Sequence, residues 1–130
     1  MEISNEDYVS FEVAKMLKKK GFDWDCKTYY EVDKLGVIER ESSNWEDFNT
    51  DGLEDEISRP TTQMANRWLR EVKDIYVEVR RSLNTFSYGA FIFRRGKLIC
   101  EVVRKFDSPE KAIDMALKEV LGNLIEDQDD

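Results

Sequence analysis

Between Ser10 and Lys20 the apolar residues Val13, Ala14 and Leu17 fall at helical spacing, and the polar residues around them punctuate a helix. Ser10 can accept a hydrogen bond from the first turn, and Lys18, Lys19 and Lys20 complement the negative end of the helix dipole. Gly21 supplies a left-handed stop, with Phe22 placed to fold back on the last turn. A second helix is predicted from about Thr61, just after Pro60. Its stripe of Met64, Ala65, Trp68, Leu69 and Val72 matches the i, i+3, i+4, i+7, i+8 template. A third opens at Ser108-Pro109-Glu110 and carries Ala112, Ile113, Ala116, Leu117, Val120, Leu121, Leu124 and Ile125 on one face.

Other segments read as strands. Thr28-Tyr29-Tyr30-Glu31-Val32 and Val37-Ile38-Glu39 flank Asp33-Lys34-Leu35-Gly36 as a hairpin. Three strands follow at Ile75–Arg81, Phe86–Arg94 and Lys97–Lys105, joined by two-residue loops at Asn84-Thr85 and Arg95-Gly96. Loops of that length put Ile75, Val77, Val79, Tyr88, Ala90, Ile92, Ile99 and Val103 on one face, interrupted only by Glu101. The opposite face then shows Tyr76, Glu78, Arg80, Phe91, Phe93, Leu98, Cys100, Val102 and Arg104. Residues 41–58 hold no sustained period and are expected to form a long acidic loop; 126–130 reads as a frayed acidic tail. The pattern predicts an α+β fold, in one domain over residues 1–125. It is an antiparallel sheet with helices packed mainly on one face, in the order α-β-β-loop-α-β-β-β-α.

Composition narrows the chemistry. The 130 residues are 41 % hydrophobic and 37 % charged, enough for one ordinary core. There is no histidine, which excludes His-based triads, HExxH metalloenzymes and the usual His/Cys zinc sites. Cys26 and Cys100 form no Cys-x-x-Cys pair and nothing marks secretion, so reduced thiols are expected, and Cys100 reads as a small core residue. The residues from Met1 to Asp7 are acidic where a signal peptide would be basic and then apolar. The longest apolar run, Tyr88 to Phe93, is far too short for a membrane span. A cytoplasmic location without membrane contact is therefore expected.

The net charge of −8 is unevenly placed. Glu41, Glu46, Asp47, Asp51, Glu54, Asp55 and Glu56 give residues 41–58 seven negative charges and no base, whereas residues 59–106 sum to +7. Within the acidic run, Asp47-x-Asn49-x-Asp51-Gly52 opens like a calcium loop. Its twelfth position is Ser58, where a bidentate Glu is required, and no amphipathic helix precedes it. Val77-Glu78-Val79-Arg80 resembles the strand of a metal-dependent nuclease, but Arg80 cannot serve as a base and no acidic strand lies upstream. The glycines are isolated, so no phosphate-cradling loop exists. Neither a catalytic residue, a metal nor a cofactor is expected.

Two binding chemistries remain. Trp45 and Phe48 sit among Glu46 and Asp47, and aromatic anchors ringed by acid suit a basic groove on another protein. Alternatively Arg80, Arg94 and Arg104, interleaved with Phe91 and Phe93, could neutralise phosphates and stack bases on the three-stranded sheet. The order helix, three strands, helix also matches double-stranded-RNA-binding domains, although the last helix here opens on Ser108-Pro109-Glu110 and not on a Lys-rich run.

Three stretches carry a resemblance. They are Tyr8-Val9-Ser10 through Ala14, Leu17 and Lys20-Gly21-Phe22; Arg59-Pro60-Thr61-x-Gln63 through Trp68-Leu69-Arg70-Glu71 with Ile75-x-Val77-x-Val79; and Phe106-Asp107-Ser108-x-Glu110-x-Ala112 through Leu117 and Leu121. Over about half the chain this resembles a group of short proteins from phages and mobile elements of gut bacteria, for which no activity is known. The resemblance implies a phage or mobile-element origin and carries over no site residue. The expectation is a non-catalytic accessory protein acting by protein–protein binding, with nucleic-acid binding through residues 75–105 as the alternative. A second copy of the chain is a further possible partner.

Overall fold

The computed structural model describes residues 7–82 and 87–125, apart from the side chains of residues 102–105. The predicted loop at Asn84-Thr85, the frayed tail at 126–130 and the side chains of Val103 and Arg104 lie outside the described residues.

Helix α1 spans Phe11–Lys19, with the Ser10 hydroxyl accepting the Val13 N–H. Gly21 ends it at φ 94°, and the Phe22 N–H reaches back to the Leu17 carbonyl. Strands β1 (Cys26–Asp33), β2 (Gly36–Glu46) and β3 (Glu56–Ser58) form an antiparallel sheet in the order β2-β1-β3. Helix α2 (Thr62–Trp68) is capped by Thr61 and widens into a π-helical turn at Leu69–Lys73. A second antiparallel sheet follows in sequential order: β4 (Ile75–Arg81), β5 (Tyr88–Arg94) and β6 (Lys97–Phe106). Helix α3 (Pro109–Glu119), capped by Ser108, also ends in a π-helical turn, Val120–Leu124.

The fold is thus α+β, with the strands divided between two three-stranded sheets. Helix α3 packs on β4, β5 and β6, while α1 lies against α3 on one side and β3 on the other. One buried cluster joins all these layers, from Val13, Leu17 and Phe22 through Trp68, Leu69 and Ile75 to Ile92, Leu117 and Leu121. Gly122 permits the close α1–α3 approach, because a Cβ there would stand 3.1 Å from the Met16 methyl.

Three expectations need correction. Residues 41–46 belong to β2, and 56–58 form β3, so the acidic segment 41–58 is loop only between them. The strand predicted at Val37-Ile38-Glu39 thus runs on to Glu46; alternation did not announce the extension because β2 is an edge strand with both faces exposed, so nothing enforces it. Its pairing with β1 is supplemented by ion pairs between Arg40 and Glu31 (3.3 Å) and between Lys27 and Glu41 (3.8 Å).

Val72, predicted on the buried stripe of the second helix, is 52 % exposed. The i→i+5 winding that begins at Leu69 rotates it away from the core.

In the second sheet, the Arg95-Gly96 turn forms as expected, with both residues at positive φ (52° and 77°). A bulge then breaks the simple register: Phe93 pairs with Leu98, but Ile92 pairs with Cys100. Ile99 is the extra residue and is exposed, while Cys100 packs against the core. The bulge also moves Glu101 to the outer face opposite Phe91, removing the one acid that simple alternation would have buried.

Candidate protein-binding site

The chain leaves β2 at Glu46 and turns sharply through residues 47–55 before entering β3. Asp47 builds this turn. Its Oδ1 accepts the N–H groups of Asn49 (3.1 Å) and Thr50 (3.2 Å), and its carbonyl accepts that of Asp51. Asn49 ties the turn to the core: its amide donates to the Phe22 carbonyl at 2.9 Å, and its oxygen accepts the Ser58 N–H at 3.0 Å. Gly52 passes so close to the Phe48 backbone that a Cβ would collide with the Phe48 carbonyl oxygen. Of the residues that resemble a calcium loop, Asp47 and Asn49 thus have side-chain oxygens engaged by backbone N–H groups, and no cluster of metal-binding side chains forms among the described residues.

This turn separates the two aromatics expected to act together. Phe48 is a core residue, 3 % exposed, with its ring stacked 4.4 Å from that of Tyr29. It offers nothing to a partner, which corrects its assignment as a surface anchor. Asp47 is also buried, and its carboxylate works inside the turn. Trp45, by contrast, is 60 % exposed, and Glu46 beside it is exposed as well.

Trp45 borders a cleft of about 390 Å³ whose walls include Asp25, Glu46, Asp51, Leu53 and Glu56, with no basic residue. Leu53 is 70 % exposed. Glu56 is partly committed, since its Oε1 accepts the Leu53 N–H at 2.8 Å and holds that lip in place. The result is an acidic trough with an apolar side chain at Trp45 and another at Leu53. Sequence reasoning did not name Asp25, Asp51, Leu53 and Glu56 as members of this site; the only signal was a lone leucine inside an acidic run.

The alternative set is split between locations. Arg80 and Phe91 do meet on the outer face of the second sheet, with the guanidinium 4.8 Å over the ring. Yet Arg80 is engaged by Glu78 through two contacts of 3.0 and 3.1 Å, and this pairing holds the Glu78 carboxyl below its usual range. Arg94 pairs with Ile75, on the face opposite to Phe93, and donates to the Leu124 carbonyl at 2.7 Å. It closes the C-terminal end of α3 together with Lys20, which donates to the Ile125 carbonyl. Phe91 stands between Glu78 and Glu101 in the cross-strand row. The three arginines therefore do not form one basic surface with Phe91 and Phe93: Arg94 serves the helix end, and the Arg104 side chain lies outside the described residues.

A second cleft, about 630 Å³, opens between the two halves of the fold. Its most buried charge is Arg59, paired with Glu39 at 3.5 Å. On the facing wall the Ser10 hydroxyl donates to Asp114, which also binds Lys118 at 3.0 Å. The Tyr30 hydroxyl donates to the Val9 carbonyl at 2.6 Å. The Ser10–Asp114 bond ties the start of α1 to α3, and the Tyr30–Val9 bond ties the segment before α1 to the first sheet.

Neither thiol is activated. Burial pushes the Cys26 thiol up to about 12, with smaller contributions from Asp47 and Asp25, while Ser58 opposes them. Cys100 is also raised, by burial first and then by Glu119. Among the described residues, no helix is long and apolar enough to cross a membrane. No protein-family model, curated protein or solved structure matches this chain.

Proposed function

We propose that the protein is a non-catalytic accessory protein that works by binding another protein, through the acidic trough at Trp45. The observation that carries this reading is the exposure of Trp45 and Leu53 beside one cleft whose walls carry Asp25, Glu46, Asp51 and Glu56 and no base. Exposed Trp is among the strongest interface anchors, and surrounding carboxylates add steering toward a positively charged partner. The matching ligand is a basic segment with an apolar residue, its bases meeting Asp25, Glu46 and Asp51. The phage or mobile-element origin implied by the resemblance is part of the same proposal.

The test is a titration of the protein with a synthetic peptide of alternating lysine and leucine, followed by tryptophan fluorescence and calorimetry. Binding is expected, weakening as salt rises, and Trp45→Ala should lower affinity at least about tenfold. A glutamate–leucine peptide should not bind. Binding that survives Trp45→Ala together with Leu53→Ser, or no binding at all by the basic peptide, would remove the trough from consideration.

A further inference from the structure

Trp24 and the polar face of α2 line a third cleft, of about 570 Å³, which shares no wall residue with the acidic trough or the cleft at Arg59. Gln63, Asn66, Arg67 and Arg70 recur every three or four residues along α2 and the π-helical turn that continues it, and all four reach this cleft. Such π-helical turns recur at functional sites. The Arg67 guanidinium lies 5.9 Å from the centre of the Trp24 indole. In a chain with 28 acidic residues against 20 basic ones, these walls hold two arginines and no carboxylate.

Most of these polar groups are uncommitted. The side chains of Gln63, Asn66 and Arg70 make no hydrogen bond or ion pair among the described residues. Arg67 gives its Nε to Glu71 at 3.0 Å, one of the five donors of its fork. The Asn66 Oδ1 is enclosed and accepts nothing. A buried acceptor without a donor lowers folding stability, so its retention calls for a role outside the fold's own bonding.

We propose that this cleft binds a mononucleotide: phosphate on Arg67 and Arg70, base against Trp24, and base edge on the carboxamides of Asn66 and Gln63. Guanidinium forks match phosphate oxygens, and an indole offers a stacking face to any base. A carboxamide pairs one donor and one acceptor with a base edge, as Asn and Gln do with adenine. Turning the Asn66 carboxamide into the cleft brings its oxygen to the donor it lacks. A simple carboxylate or an acidic peptide would use the arginines and leave the carboxamides idle. The volume falls within the roughly 300–1,000 Å³ of small-molecule sites. Exposed Asp23 and Asp25 flank Trp24, and the chain carries a net charge of −8, so a long polyanion is repelled where a single nucleotide is not.

The test is calorimetry of the full chain with AMP, adenosine and inorganic phosphate as separate titrants. AMP should bind at least about tenfold more tightly than either fragment. Arg70→Ala should weaken AMP at least about tenfold and leave adenosine unchanged. Asn66→Ala should weaken AMP and adenosine alike, with a thermal midpoint no lower than that of the wild type, because its oxygen satisfies nothing in the fold. No heat from AMP at millimolar concentration would overturn the proposal. So would phosphate binding as tightly as AMP, or AMP affinity unchanged in both variants. A short oligodeoxyadenylate binding at least about tenfold more tightly than AMP would overturn the mononucleotide and assign the cleft to single-stranded nucleic acid. A polyglutamate peptide that displaces AMP on equal terms would overturn the nucleotide altogether.

Discussion

The guanidinium of Arg59 lies 4.1 Å from the centre of the Tyr8 ring and 5.3 Å from that of Tyr30. Its backbone is clamped as firmly: the Arg59 N–H donates to the Thr28 carbonyl, and the Arg59 carbonyl accepts the Thr28 hydroxyl at 2.6 Å. One residue later the Pro60 carbonyl receives the Val9 N–H. Arg59 therefore couples the segment before α1 to β1 and to the end of β3, with a side chain only 7 % exposed.

Removing that cation should be costly. Arg59→Ala loses the aromatic contacts and the packing of the stem, and leaves polar groups without their partner, for about 2–4 kcal/mol. Glu39→Gln should cost less than about 1 kcal/mol, because its carboxylate is half exposed. Arg59→Lys should recover only part of the loss, since an ammonium lacks the planar fork that spans two rings. Urea denaturation of the three variants decides the order; a Glu39→Gln cost equal to that of Arg59→Ala would show that the ion pair, and not the contacts with the two rings, dominates.

The buried thiol of Cys26 makes an alkaline limit predictable. Its folded value of about 12 stands above the ordinary 9.0, mainly because burial penalises the thiolate. The unfolded chain releases this proton first, so the contribution is intact below about pH 9 and is lost progressively as pH rises toward 12. Tyr30 acts in the same direction, since its phenol is raised by burial, more than Arg59 lowers it, and must stay protonated to donate to Val9. Cys26→Ala should therefore lose less stability between pH 8 and pH 11 than the wild type, read as the difference in urea midpoint at each pH. Native alkylation should modify Cys100 slowly and Cys26 only once the chain unfolds.

Local chemistry was legible in the sequence wherever one turn of chain decides the outcome. Ser10 and Ser108 cap as expected, the second helix starts beside Thr61, Gly21 stops α1, and Arg95-Gly96 turns the last hairpin. Features set by tertiary contacts were not legible. β2 has no buried face to impress a period on its residues, and the Ile99 bulge becomes apparent only from the ladder with β5. The candidate site shows the same divide. Trp45 and Phe48 look alike in sequence, three residues apart in an acidic run. The Asp47 turn, which sends one inward and leaves the other in water, depends on distant partners at Phe22 and Ser58.

The same turn predicts a backbone-specific defect. Gly52→Ala places a methyl group against the Phe48 carbonyl oxygen and close to the Glu56 carboxylate that holds Leu53. The backbone must shift, so a loss of about 1–3 kcal/mol is expected, with Leu53 displaced from the lip of the trough. Calcium should not rescue the variant, because the Asp47 and Asn49 oxygens are already accepting backbone donors. Thermal melts with and without calcium check both points; a calcium-dependent rise in midpoint would show that these oxygens can be recruited by a metal.

Trp45 and Phe48 supply the sharpest contrast in the molecule. Phe48→Ala empties a position stacked on Tyr29 inside the core and should cost about 3–5 kcal/mol. Trp45→Ala touches no such packing and should change stability by no more than about 0.5 kcal/mol. Fluorescence separates the three tryptophans independently of any partner. Trp68 is 1 % exposed and Trp24 is half-buried, so the long-wavelength, quencher-accessible emission belongs to Trp45 and should vanish in its alanine variant. If Trp45→Ala instead lowers the urea midpoint as far as Phe48→Ala, the indole is a packing residue. The acidic trough would then lose its anchor, and with it the argument that a basic partner docks there.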